Sequence, residues 1–278
     1  MILSFHPIIE ADENIICAGR EAGPEDLAAI QRAEAVILPQ GCRESLYRMV
    51  RNNCPHIFPN LDVSFDYPGK RGQIRLFRKL DVTHPPTELY ESLGHYHRST
   101  PTISLPAVIK LDWGGQGDTI FKAGTPKALD EALQRVSACE KTGQRGFLVQ
   151  TFIPTRHRSL RVTVIGQRQF AYWRVMPNPD DFGASVSAGA RIDHDADPTL
   201  VSAAREVVHT FCQRTQLQLA GFDFIFDRRQ LALGRIEPLM LEVNYFFGRT
   251  GLGGSEAYYR ILTREVDHWL AGLGLQRA

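Results

Sequence analysis

Gly221-Phe222-Asp223-Phe224-Ile225-Phe226 and Leu239-Met240-Leu241-Glu242-Val243-Asn244 are the two stretches that decide the fold. Both read as apolar strands, and both carry acids inside an otherwise hydrophobic run. Side chains alternate faces along a strand, so Leu241 and Val243 are expected to share one face and Glu242 and Asn244 the other. If the two strands pair, Asp223, Glu242 and Asn244 converge on one point. Three oxygen ligands on a rigid sheet suit Mg²⁺, which keeps several waters and adds phosphate oxygens. A solvent-facing polar row on an amphipathic sheet would give the same pattern.

Three upstream stretches carry further chemistry. Ile109-Lys110-Leu111 precedes the glycine-rich turn Gly114-Gly115-Gln116-Gly117. Glycines let backbone N–H groups approach phosphate oxygens, and a strand-end lysine adds a compact positive charge. An ordinary hairpin turn reads the same way, and there is no G-x-x-x-x-G-K-[ST]. Leu148-Val149-Gln150-Thr151-Phe152-Ile153 is a strand running into an apolar hinge, which suits an adenine slot or simply a core strand. Arg161 and Arg174 lie on the two arms of a hairpin around Gly166, where arginine offers bidentate geometry to phosphate or carboxylate. Structural salt bridges to neighbouring acids are the alternative. Arg156 and Arg158 read as a solvated loop.

The remaining organisation is expected as follows. Ile2–Phe5, Asn14–Ala18 and Ala35–Leu38 read as strands, with helices over Pro24–Arg32 and Arg43–Asn52, a βαβ pattern. Lys70–Lys79 reads as a helix, His84–Thr87 as extended, and Glu88–His97 as a further helix. From Pro106 onward the pattern becomes α+β with antiparallel hairpins. Across its 278 residues the chain has 32 Lys+Arg against 31 Asp+Glu, a net charge of +1. That balance argues against a general nucleic-acid binder. No stretch approaches the ~20 apolar residues of a membrane-spanning helix, and Met1–Pro7 reads as a first strand rather than a signal peptide. Five cysteines without a C-x-x-C pair predict neither a disulfide framework nor a zinc ribbon, and a cytoplasmic setting.

These pieces, in this order, resemble the ATP-grasp superfamily, with the closest likeness to the RimK-like carboxylate–amine ligases. The resemblance is carried by Lys70 with His84–Thr87, Val108–Lys110 with Gly114–Gly117, Val149–Ile153, Leu160–Val162, Ala220–Asp223 and Leu241–Asn244. It implies a fold of the α/β plus α+β class, with a small N-terminal βαβ lobe over 1–66 and an ATP-grasp region over 67–278. That region would comprise a central lid (about 100–153) and a C-terminal metal-binding part (about 154–278) that clamp ATP between them. It also implies roles. Lys70, Lys110, Gly114, Gly115 and Gly117 would meet phosphates, and Gln150, Phe152 and Ile153 would lie by adenine. Asp223, Glu242 and Asn244 would hold Mg²⁺ or Mn²⁺. Arg161, Arg174 and Lys110 would serve phosphoryl transfer.

The implied activity is ATP-dependent ligation of a carboxylate to an amine through an acyl phosphate, releasing ADP and phosphate. The substrates would be a small-molecule acid and amine, or a protein tail as acceptor; the apolar N-terminal lobe permits a homodimer. A regulatory ATP-binding module that has lost catalysis is the rival, and the retained trio and Arg161 favour the enzyme. Two departures stand out. Ser159 occupies a position where many relatives carry Asp, and the run Tyr245–Gly254 is bulkier than the small-residue loop of relatives. The loop tips His6–Pro7 and Gln40–Gly41 are expected to line the acid's site.

Overall fold

The computed structural model describes residues 1–17, 19–114, 119–178 and 189–277. Strands β1 (Ile2–Ser4), β2 (Glu13–Asn14), β3 (Ala35–Ile37) and β4 (His56–Phe58) form a parallel sheet in the order β2-β1-β3-β4. Its helices are α1 (Pro24–Arg32) and α2 (Glu44–Asn53). Pro24 starts α1, and the Asp26 carboxylate reaches back to the Gly23 N–H at 2.7 Å. The strands read as unbroken apolar runs because the sheet is covered on both faces. Leu3 and Val36 pack with Ile30, Leu46 and Val50 of α1 and α2. Ile2, Ala35 and Ile37 pack instead with Leu262, Val266 and Leu270 of the last helix. The expected strand Asn14–Ala18 is shorter, ending at Asn14, and Ala18 lies outside the described residues.

After α3 (Asp62–Asp66) and α4 (Gly69–Lys79) come β5 (Thr87–Tyr90), α5 (Leu93–Arg98), β6 (Ala107–Leu111), β7 (Ile120–Ala123), α6 (Pro126–Lys141) and β8 (Phe147–Thr151). The antiparallel sheet runs β5-β8-β6-β7. The helix expected over Glu88–His97 is therefore corrected: its first part is strand β5, and only Leu93–Arg98 is helical. The extended backbone imposed by Pro85-Pro86 continues through Tyr90, whose ring stacks on Phe147 at 5.2 Å. Along β6, Ala107, Ile109 and Leu111 pack against Ala132, Leu133 and Val136 of α6. Alternation sends Lys110 to the other face.

The last sheet runs β11-β10-β9-β12-β13 and contains β9 (Arg158–Ile165), β10 (Arg168–Val175), β11 (Arg191–Asp193), β12 (Leu219–Ile225) and β13 (Leu239–Asn244). Its helices are α7 (Pro198–Thr215), α8 (Arg228–Ala232) and α9 (Gly254–Gly272). Arg158, expected in a loop, begins β9 instead, with its guanidinium 4.0 Å over Trp173. On one face Leu160, Val162, Phe222 and Phe224 meet Ala204, Val208 and Phe211 of α7. Helix α4 packs against both β8 and β13 and so joins the two antiparallel sheets. Among the described residues no helix is long and apolar enough to cross a membrane.

Candidate active site

The polar face of the last sheet is organised by register. Tyr172, Arg161, Asp223 and Glu242 are successive Cα partners across β10, β9, β12 and β13, so four functional side chains form one row. Asn244 stands two residues along from Glu242, opposite Gly221. A β-bulge between Asp223 and Phe224 changes one sequence expectation. Phe224 faces Met240 while Asp223 faces Glu242, leaving Leu241 as the extra residue. Met240 and Val243, not Leu241 and Val243, therefore share the core. Glu242 and Asn244 keep their common face.

Asp223 is only 3% exposed and is saturated. Its Oδ1 accepts from Arg161 Nε and from Arg174 Nη2, the latter at 2.8 Å. Its Oδ2 accepts from Arg161 Nη2 at 2.9 Å and Asn244 Nδ2 at 3.2 Å. A carboxylate offers about four lone-pair sites, and all are used. Burial pushes this carboxyl up, but Arg161 and Arg174 outweigh it and hold it well below the usual carboxylate range. Asn244 Nδ2 also donates to Glu242 Oε1 at 3.1 Å, drawing the expected trio together. The side chains of Glu242 and Asn244 have oxygen lone pairs left for a hard cation, whereas Asp223 serves two arginines. Among the described residues no three His, Cys, Asp or Glu side chains cluster as a metal site.

Arg174 reaches Ser159 Oγ with Nε at 3.1 Å and Nη2 at 2.8 Å. Ser159 thus holds the second arginine in place. Gly221 makes room for the first: a Cβ there would lie 2.9 Å from Arg161 Nη1 and 3.2 Å from Phe247 Cβ. Neither requirement shows in the sequence, because both depend on the register of β9 against its neighbours.

Two lysines face this row. Lys110 is 7% exposed, and no side-chain or backbone acceptor bonds its amine among the described residues. Burial lowers it to about 8, while Glu242 and Asp223 pull upward and Lys70 downward. Lys70, in the first turn of α4, donates to the carbonyls of Trp113 at 3.1 Å and Gly114 at 2.8 Å. Burial lowers it as well, opposed by Glu242 and Asp112. Two lysines and two arginines thus surround two carboxylates, a surplus of positive charge in a shielded place, as a polyphosphate requires. Gly115 and Gly117 lie outside the described residues.

The three residues expected by adenine belong to β8 and its exit. Gln150 is buried, and its Nε2 donates to Thr87 Oγ1 at 2.8 Å, so its side chain ties β8 to β5. Phe152 carries the ammonium of Lys122 4.2 Å from its ring centre, a partner that sequence reading missed. Ile153 follows in the irregular exit segment and is partly buried.

The fold and the charged row define a protein of the ATP-grasp class. Residues 69–261 match the RimK-like ATP-grasp domain, and the chain belongs to that family. No curated protein matches it. Among solved structures it is similar to a RimK domain ATP-grasp protein from Sphaerobacter thermophilus (TM-score 0.61, 15% identity, 84% of this chain and 81% of that one). It is also similar to a D-alanine–D-alanine ligase from Bacillus anthracis complexed with ATP (TM-score 0.60, 11% identity, 92% and 82%). A third likeness is to purK, an N5-carboxyaminoimidazole ribonucleotide synthetase, in its ADP complex (TM-score 0.59, 13% identity, 87% of this chain); there the chain spans only 62% of the other's length.

Proposed function

We propose that this protein is an ATP-dependent carboxylate–amine ligase. The observation that carries the reading is the convergence of Lys70, Lys110, Arg161 and Arg174 on Asp223, Glu242 and Asn244. A carboxylate does not acylate an amine at neutral pH because oxide is too poor a leaving group. Transfer of the γ-phosphoryl group of ATP to a carboxylate oxygen gives an acyl phosphate and ADP. The amine nitrogen then attacks the carbonyl carbon, the bond from carbon to the phosphate oxygen breaks, and phosphate leaves as the nitrogen sheds a proton. Such a reaction asks the protein for position and charge rather than for a nucleophile.

In this reading Lys70 and Lys110 hold phosphates, and Arg161 and Arg174 offset the charge that develops on the transferred group. Phe152 and Ile153 border the adenine, with Gln150 acting through β8 rather than by direct contact. Mg²⁺ would be held by Glu242 and Asn244, with Asp223 behind them, and supplies charge neutralisation to the phosphates. The acceptor is the amine of a small molecule or of a peptide. A buried lysine that bonds no acceptor among the described residues, beside a lysine–arginine surplus, supports catalysis over a regulatory role, since binding alone could dispense with part of it. Calorimetric titration with a non-hydrolysable ATP analogue, with and without Mg²⁺, tests the reading. Ligand at ~100 times its dissociation constant adds ~2.7 kcal/mol of stability, visible in a melting curve. Absence of binding at millimolar nucleotide would overturn it.

A further inference from the structure

The first turn of α4 is capped by a residue of a different element. Pro68 offers no capping side chain, so the leading N–H groups of the helix need partners from elsewhere. Asp112, the residue after β6, supplies them. Its carbonyl accepts the Lys70 N–H at 3.0 Å, and its Oδ1 accepts the Arg71 N–H at 2.7 Å. Its Oδ2 accepts Arg71 Nε at 2.8 Å, which makes an ion pair largely shielded from water. A carboxylate is also favoured at a helix N-terminus. Two glycines clear the space for this pair, Gly69 with φ +70° and Gly146 with φ +95°. A Cβ on Gly69 would lie 2.6 Å from Asp112 Oδ1, and one on Gly146 would lie 2.5 Å from Arg71 Cζ. No side chain fits at those distances, and both backbones hold a conformation that glycine adopts freely.

The pair acts on a lysine. Trp113 and Gly114 follow Asp112 directly, and their carbonyls are the two acceptors of Lys70 Nζ. An ammonium has three N–H donors, so a third is left for a phosphate oxygen. Its direction is set by how Trp113 and Gly114 lie against α4, and that placement is what Asp112 and Arg71 fix. Burial lowers Lys70, and the charge of Asp112, after that of Glu242, opposes the lowering. Arg71 has other partners, the Tyr90 carbonyl at 3.4 Å and the Glu91 carboxylate. Glu91 is exposed and is shared with Arg75, so it is the weaker hold.

We propose that Arg71 and Asp112 are positioning residues for phosphate binding: their ion pair holds Trp113 and Gly114 on α4, so that Lys70 keeps one N–H for the nucleotide phosphates. The two residues act through Lys70 and not by contact with substrate. The proposal rests on the ligase reading, which puts the phosphates at Lys70, and adds to it the part of the chain that sets this lysine's geometry.

The test is a thermodynamic cycle on the full chain, read as calorimetric affinity for a non-hydrolysable ATP analogue with Mg²⁺, beside melting curves. Arg71→Met keeps the apolar stem and removes the guanidinium. It is expected to weaken the analogue about 10-fold, the equivalent of one hydrogen bond. Asp112→Asn should weaken it to a similar extent, and Lys70→Met at least as much. In the Lys70→Met chain, Arg71→Met should cost no more than about twofold, because the lysine it acts through is gone. Arg71→Lys keeps the charge without the planar fork and should recover part of the loss. Glu91→Gln removes only the exposed partner and should leave the affinity unchanged. If Arg71→Met does not fold, Asp112→Asn takes its place in the cycle. Losses that add in full in the Lys70→Met chain would leave the pair a packing role and overturn the proposal. An unchanged affinity in Arg71→Met or Asp112→Asn, or an equal loss in Glu91→Gln, would overturn it too. Absence of nucleotide binding in the unaltered protein would instead remove the ligase reading beneath it.

Discussion

The side-chain amide of Gln73 makes to Val243 the two hydrogen bonds that a neighbouring strand would make. Nε2 donates to the Val243 carbonyl and Oε1 accepts the Val243 N–H, both at 2.8 Å. Val243 separates Glu242 from Asn244 on the edge strand β13, and Gln73 sits one helical turn beyond Lys70 on α4. One amide thus fixes the lysine helix to the acidic strand. Gln73→Ala should cost about 1–3 kcal/mol, because two backbone groups lose partners. Denaturant melts measure the cost. The same variant should need more Mg²⁺ for half-maximal ADP release, and an unaltered Mg²⁺ requirement would show that the clamp does not reach the site.

Glu242→Ala is expected to leave a folded chain with no turnover. Glu242 is partly exposed at the end of the row and makes no direct ion pair among the described residues, although its charge supports that of buried Lys110. The check is ADP release over a range of Mg²⁺ beside a melting curve; full activity would remove Glu242 from the metal site.

Asp223→Ala should behave oppositely in stability. It leaves Arg161, 6% exposed, and Arg174 without their shared partner, a change that typically costs about 3–5 kcal/mol. The carboxyl is depressed in the folded chain, so its contribution is present above the unfolded carboxylate range and is lost only as pH falls through the lower folded value. As far as this group is concerned, the stability of the unaltered chain should start to fall as pH drops below the ordinary carboxylate value of 3.8 and go on falling well below it, and the variant should unfold at milder acidity.

Lys110 has the reverse sign. Its folded pKa of about 8 lies below the ordinary 10.5, so the folded chain prefers the neutral amine. The cost of burying the charge is present below pH 8 and relieved as pH rises towards 10.5, and stability without nucleotide should rise over that window. Phosphate restores the charge, so nucleotide binding just above pH 8 should take up a proton. Calorimetry in buffers of different ionisation enthalpy reads that uptake. Lys110→Met should abolish the uptake, weaken the ATP analogue and stabilise the empty protein.

Gly221→Ala tests the packing of the row. A methyl group 2.9 Å from Arg161 Nη1 and 3.2 Å from Phe247 Cβ must displace one of them. Because Arg161 is pinned to Asp223, about 1–3 kcal/mol of strain is expected. Turnover should fall more than affinity for the ATP analogue, a split that steady-state kinetics resolves.

The sequence shows most of this site as residue types and little of it as relationships. Alternation along Leu239–Asn244 places Glu242 and Asn244 on one face, yet nothing local announces the bulge at Leu241 that moves Met240 into the core. Arg161 and Arg174 read as candidate phosphate ligands, whereas their common hold on Asp223 follows from the β9–β12 register. Glu88–Tyr90 reads as the start of a helix because Glu88 and Leu89 favour helices; pairing with β8 overrides that local preference. Gln73 and Val243 are 170 residues apart, so their clamp becomes visible only once α4 docks on β13.

The N-terminal sheet has a consequence for how the chain is made. Ile2, Ala35 and Ile37 leave a ribosome long before the side chains that cover them, Leu262, Val266 and Leu270. Until α9 emerges, one greasy side of that sheet stays bare, open to wrong contacts. Helix α9 is thus a closing stitch. A chain cut short before residue 262 keeps every group of the charged row but leaves its earliest strands sticky, and it should be found in the pellet rather than at the bench as an enzyme.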